Sequence, residues 1–221
     1  SIRERNLLGK GQDLSLGMIL SGERTEFNLG FTEPFFLNRD MSAGFDAFHS
    51  TRDYQDESSY DQTRSGGGLR FGYPLSDRWR QLIRYRAERN EITDVTSASR
   101  FILEQEGERD TSAVSLRTTY DSRNSTVFPT DGWLLWLDTE VAGLGGDAKY
   151  VSGKTGFSYF YPIMDQWTLN VLAEGGMIEG YDDTEVAINE RFFLGGNNLR
   201  GFEQAGVGPR DNSTDDSLGG N

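Results

Sequence analysis

No cysteine occurs in the 221 residues, which removes disulfide frameworks, thiolate metal sites and cysteine nucleophiles together. Histidine is reduced to one copy, His49, so a site needing two imidazoles has no second member. Lysine is nearly missing, with 3 Lys against 19 Arg, and the net charge is −13. Without a basic surface to meet phosphates, nucleic acid is excluded as a partner. Proline is scarce at 5. No apolar run approaches the ~18 residues that a transmembrane helix requires, and the mean hydropathy of −0.60 is too polar for a helical membrane protein. No signal peptide is visible at Ser1, so an exported protein would be present here as a mature piece.

What is plentiful is glycine, at 27 residues, and aromatic side chains, at 12%. Both suit many strands joined by short turns. The dominant signal is period-two alternation, the mark of strands with one apolar face. It runs through Leu14–Leu20, Thr25–Phe31, Met41–Ala47, Leu69–Tyr73 and Trp79–Ala87. It continues through Val114–Tyr120, Trp133–Val141, Val151–Tyr161 and Trp167–Met177, which makes nine strands. None of the apolar-side positions is charged. The intervening positions carry Asp13, Glu26, Asp46, Arg64, Arg70, Arg80, Arg84, Arg86, Arg117, Asp138, Glu140, Lys154 and Glu174. A charge on the lipid face near mid-membrane costs ~2–4 kcal/mol, so a barrel wall enforces this segregation.

The competing architecture is a soluble β-sandwich with the apolar face as its core. Sandwich strands usually run ~5–6 residues, whereas several here keep the pattern for about ten, as a tilted membrane strand needs. Connections also alternate in length. Tyr73-Pro74-Leu75-Ser76-Asp77-Arg78-Trp79 recurs as Tyr161-Pro162-Ile163-Met164-Asp165-Gln166-Trp167, two tight turns flanked by interface-seeking aromatics. Pro34-Phe35-Phe36 and the stretch 128–133 fall on the same side. The longer polar connections, about 50–62, about 90–110 and everything after Tyr181, are expected to be extracellular. A short helix is expected within 95–106. Residues 1–181 are predicted to form one wall, and 182–221 one long loop. The predicted fold class is all-β, a partial transmembrane antiparallel barrel.

Two motifs point further. The first is Tyr120-Asp121-Ser122-Arg123-Asn124-Ser125-Thr126-Val127-Phe128-Pro129-Thr130-Asp131-Gly132; the second is Phe193-Leu194-Gly195-Gly196-Asn197-Asn198-Leu199-Arg200-Gly201-Phe202. The first resembles the Asp-x-Arg…Phe-Pro-Thr-x-Gly turn (Asp121, Arg123, Phe128, Pro129, Thr130, Gly132), and the second the Gly-Gly-x-x-x-Arg-Gly-Phe loop (Gly195, Gly196, Arg200, Gly201, Phe202), of the BamA family of outer-membrane protein assembly factors. Gly208-Pro209, Gly219-Gly220 and the opening Asn6-Leu7-Leu8-Gly9-Lys10-Gly11 are similar as well. Leu199 stands where the family more often has Val. By that pattern the chain runs from the end of the second strand through the eleventh of a sixteen-stranded barrel, with POTRA repeats lying outside it. Nine strands do not close a barrel of that diameter, and two raw edges would remain.

The resemblance implies that the second motif tips an extracellular loop folded back into the lumen. Arg200 would offer its planar fork to an inner-wall carboxylate on a strand beyond this chain, and Phe202 would be an apolar anchor. The inward arginines Arg70, Arg80, Arg84, Arg86 and Arg117 admit two readings. They are either ordinary lumen lining with local partners, or an electropositive wall holding the loop acids Asp211, Asp215 and Asp216.

Catalysis is not expected. His49 and Ser50 are strand neighbours and point to opposite faces, and Asp211-Asn212-Ser213-Thr214-Asp215-Asp216 lacks the Gly and distal Glu of a calcium loop. No metal or cofactor site is expected. The resemblance implies folding and insertion of β-barrel proteins in the bacterial outer membrane, by strand addition at a weak seam. Its partners would be the bilayer, unfolded barrel substrates and accessory lipoproteins. The alternatives are a two-partner secretion pore, a translocation-factor barrel or a passive porin.

Overall fold

The computed structural model describes residues 1–55, 60–95, 103–196, 198–203, 205–212, 214–215 and 217–221. Ten strands follow one another: β1 Ile2–Leu7, β2 Gln12–Leu20, β3 Arg24–Glu33, β4 Ser42–Asp53 and β5 Asp61–Pro74. Then come β6 Trp79–Thr93, β7 Gly107–Asp121, β8 Gly132–Gly146, β9 Tyr150–Met164 and β10 Trp167–Gly180. Each pairs antiparallel with the next in one sheet of order β1 to β10. Among the described residues β1 and β10 do not pair, so the wall is an open arc, a partial barrel. The nine expected strands are β2 to β10. The tenth, β1, has no apolar stripe to betray it, because Arg3 and Arg5 alternate with Ile2, Glu4 and Asn6.

The two faces are inverted relative to a soluble protein. Leu16, Phe27, Leu135 and Leu137 stand 46, 44, 39 and 49% exposed, while Glu26, Gln62, Glu88, Asn90 and Ser115 are buried. A sandwich would bury the first group and expose the second. The alternation therefore places hydrocarbon outside and a polar lumen inside.

Outward charges begin only at defined heights. On β6 the outward row Trp79, Gln81, Ile83, Tyr85, Ala87 is uncharged, and the next position is Arg89, which pairs with Glu108 at 3.1 Å and Asp110 at 2.8 Å on β7. At the other end an aromatic belt closes the band. Trp79 lies 5.0 Å from Tyr120, and Trp133 lies 4.2 Å from Tyr159, centroid to centroid. Trp and Tyr favour that height because their rings are apolar and their N–H or O–H reaches water.

The connections at the belt end are Leu8–Gly11, 34–41, 75–78, 122–131 and Asp165-Gln166, two to ten residues long, so length alone does not separate the two ends. The opposite end bears 54–60, 94–106 and the stretch after β10, as expected, but also two short turns, Ser21–Glu23 and Asp147–Lys149. The helix expected within 95–106 falls mostly outside the described residues. The apolar core is small and sits inside that opposite end. Val186 packs with Ala113, Ala142, Ala148, Tyr150 and Ile178, flanked by Phe192. Ile188 packs with Tyr60 and Ile92, flanked by Phe193.

Candidate functional site

The turn between β7 and β8 is built by side chains that replace missing ladder bonds. Arg123 grips Asp121 with both arms, Nε to Oδ1 at 2.9 Å and Nη2 to Oδ2 at 2.8 Å. Gly132, at φ +107°, lies against the backbone of Ser122 and Arg123 where a Cβ would collide. Asn124 ties the two sides of the turn together with three side-chain bonds. Its Nδ2 donates to Thr130 Oγ1 at 2.7 Å, and its Oδ1 accepts from the N–H groups of Thr130 and Asp131 at 3.0 and 3.3 Å. Phe128, which fills no pocket, is 82% exposed beside Pro129 at the tip.

The Gly-Gly-x-x-x-Arg-Gly-Phe stretch closes on itself. Gly196 N–H donates to the Phe202 carbonyl at 2.9 Å, and Asn198 Oδ1 accepts from Gly195 N–H at 2.8 Å. Gly195 has φ +133°, and a Cβ there would strike the Glu203 carbonyl. Only glycine accepts both conditions. Gly201, at φ +92°, completes the turn. Around this lie nested bridges, Leu194 to Val207 and Phe192 to Gly220, so the loop is a folded unit.

Arg200 is exposed, and among the described residues it has no carboxylate partner. Phe202 is likewise exposed. The motif's glycines are thus brought together, while its Arg and Phe stand exposed. What enters the lumen is the loop's root, Val186-Ala187-Ile188, the most buried run in the loop. Further along, Phe192 lies on β10 at Gly176, where a Cβ would sit 2.7 Å from the ring, and Lys154 of β9 stands 5.2 Å from its centroid.

The inner wall explains why the root goes there. In register, Arg86 of β6, Ala113 of β7, Ala142 of β8 and Tyr150 of β9 form one cross-strand row. The two alanines leave a low floor, so the long Arg86 and Tyr150 side chains meet above it, Nη2 to hydroxyl at 2.8 Å. Arg86 also binds Glu88 at 2.9 Å and Glu140 at 2.9 Å, and Arg64 binds Glu88 from β5 at 2.8 Å. Into this cluster the loop inserts Glu190, 3.0 Å from the Tyr150 hydroxyl and 3.7 Å from Arg86. Burial is the main force pushing the Glu190 carboxyl above its ordinary value, and Arg86 opposes it.

Neither reading of the arginine set holds throughout. Arg70 pairs locally with Asp46 at 2.6 Å and Arg117 with Asp138 at 3.6 Å, with Arg117 also lying 4.4 Å from the Trp136 ring centroid. Arg80 and Arg84 have no ion pair among the described residues. Arg86 does hold a loop acid, but it is Glu190. Asp215 instead pairs with Arg210 inside the loop at 3.0 Å, and Asp216 lies outside the described residues. The lone His49 bonds across strands to Ser65, Nδ1 to Oγ at 2.7 Å, on the outer face. Among the described residues no carboxylate completes that pair.

Two motifs on a wall of lipid-facing strands, with a loop lodged in the lumen, agree with the comparisons. The profile of the Omp85 superfamily domain matches residues 6–221, both motifs included. The chain belongs to the Omp85 superfamily. "Outer membrane protein assembly factor BamA" of Nitratidesulfovibrio vulgaris is 33% identical across the whole chain, which spans 28% of that protein. BamA of Neisseria meningitidis is 27% identical over 95% of the chain and 28% of its own length. The human "Sorting and assembly machinery component 50 homolog" is 26% identical over 97% of the chain and 46% of its length. The crystal structure of BamA from Haemophilus ducreyi lacking POTRA domains 1-3 superposes with a TM-score of 0.82 at 21% identity, covering 94% of this chain and 43% of that one. The chain thus spans less than half the length of the relatives it matches.

Within this Omp85 domain the turn draws three cross-turn bonds from Asn124, a residue outside the motif's fixed positions. Asn124→Ala is expected to destabilise the complete barrel by about 1 kcal/mol, since three exposed bonds are partly replaced by water. Asn124→Asp, which keeps the acceptor and loses the donor, should fall between. Urea unfolding in detergent micelles would measure both, and an unchanged midpoint for the alanine variant would refute the role.

Proposed function

We propose that this wall and loop are the lipid-embedded part of a factor that folds and inserts β-barrel proteins in the bacterial outer membrane. The observation that carries the reading is the loop lodged in the lumen by Val186, Ile188 and Glu190. A lumen filled this way narrows the passage that a passive pore would need. Relatives matching the chain from end to end, bacterial and human, are named as assembly components, which supports the same reading. The partners are the bilayer, unfolded barrel substrates and, through regions outside this chain, accessory lipoproteins. The work is strand pairing and membrane deformation without covalent chemistry.

The test is complementation. A full-length gene carrying this domain is placed in a Gram-negative strain depleted of its own assembly factor. Outer-membrane levels of porins should recover. A correctly folded barrel that leaves porin levels depleted, yet gives large steady single-channel conductance, would favour the pore alternatives instead.

A further inference from the structure

We propose that Glu190 enters the inner wall as a neutral carboxylic acid and is the positioning residue that latches the motif loop, so that ionising it loosens the loop. This stands independently of the assembly function. It rests on proton counting in a mostly buried set of oxygens and nitrogens.

Tyr150 has one hydroxyl proton and already accepts from Arg86 Nη2 at 2.8 Å. Glu140 Oε1, at 2.7 Å, is the nearer acceptor and takes that proton. The remaining Tyr150 lone pair then faces Glu190 Oε2 at 3.0 Å. Two lone pairs repel at that distance, whereas a protonated Glu190 donates and completes the set.

Charge counting agrees. The groups facing Glu190 are Arg64 from β5, Arg86 and Glu88 from β6, Glu140 from β8 and Tyr150 from β9. On β7 the facing side chains are Ala113 and Ser115, and on β10 Ile178 and Gly176, all uncharged, with Glu174 next along. Lys154 of β9 is turned to the Phe192 ring. Arg191, beside Glu190, donates to the Val186 carbonyl at 3.2 Å, and Arg109 donates to the Glu185 carbonyl at 3.3 Å. Two guanidiniums thus balance the Glu88 and Glu140 carboxylates, and a third carboxylate would be in excess. Burial acts in the same direction on Glu190.

The sign follows from linkage. A carboxyl whose docked form favours the proton contributes fully at low pH, and the contribution is lost as pH rises through its docked titration. Loop docking should therefore weaken towards alkaline pH. The latch matters because Glu190 is the last residue before Arg191-Phe192, where the folded unit that carries Gly195 to Phe202 begins.

The experiment is hydrogen exchange on the full-length protein in lipid nanodiscs, read as protection of the 186–207 segment across pH after correction for intrinsic rates. Wild type should lose protection several-fold as pH rises. Glu190→Gln, a neutral donor of the same shape, should keep its protection and show a flat profile. Glu190→Ala should lose protection at every pH, with the amides of β6 to β9 reporting that the wall is intact. A flat wild-type profile would overturn the proposal. So would a Glu190→Gln variant as loose as Glu190→Ala, because the residue would then be held as a carboxylate. If the alanine variant fails to fold, the wild-type and glutamine profiles still decide.

Discussion

Replacing Arg86 by alanine should destabilise the complete barrel by about 2–3 kcal/mol, the largest loss expected from any single inner-wall substitution. Arg86 stands between Glu88, Glu140, Tyr150 and Glu190, and one guanidinium supplies donors to strands β6, β8 and β9 at once. The Glu88 side chain is fully shielded from solvent, so without Arg86 it keeps only Arg64. Removing one partner of a buried pair costs ~3–5 kcal/mol, because the charge left behind has lost both water and counter-charge. Arg86 retains a quarter of its exposure, and water reaching it screens part of that penalty, which lowers the figure. Arg86→Lys should recover part of the loss, since an ammonium restores charge but cannot bind three strands in a planar fork. Chemical unfolding of the purified protein in micelles, with Arg84→Ala as comparison, measures this. Arg84 has no ion pair among the described residues, so its loss should cost little. Equal midpoints for the two variants would mean that the cluster contributes no more than solvated lumen lining.

That contrast shows what could be read without coordinates. Period two is a property of the backbone, so the outward face from Leu14 to Met177 was legible directly, as was the segregation of charge. Partner identity was not legible in the same way. Arg86 reaches Tyr150 because Ala113 and Ala142 share its register row, and register depends on how each hairpin closes. The bulge between Thr111 and Ala113 shifts the β7–β8 pairing by an amount no pattern announces. Glu190 was missed because it ends a single 3-10 turn, Ile188–Glu190, too short to show periodicity. The available signal was the apolar run Val186-Ala187-Ile188, set between the polar stretches 182–185 and 189–191, which needed a buried place to go. The glycines of the motif were informative because left-handed backbone leaves few alternatives. Arg200 was less so, since a guanidinium's role lies in its partner, and none stands among the described residues.

The second large effect tests the outer face. Leu137 lies at the centre of the uncharged β8 row from Trp133 to Val141, flanked in register by Thr118 and Thr155. Leu137→Arg should cost about 2–4 kcal/mol of folding free energy in a bilayer, because the guanidinium must cross hydrocarbon from its middle. Val141→Arg, at the end of that row and in register through Val151 with the exposed Glu179 of β10, should cost only ~0–1 kcal/mol, because its side chain reaches the interface. Asp138→Asn, adjacent but facing the lumen, removes a 3.6 Å contact with Arg117 that water can replace, so its cost should stay below about 1 kcal/mol. Refolding the complete protein into vesicles gives all three values. The depth dependence is the discriminating quantity. A soluble sheet with an apolar interface would penalise arginine at Leu137 and Val141 alike, because exclusion there depends on packing rather than distance to water. Only a slab with two wet boundaries makes the cost fall from one outward residue to another four positions along the same strand.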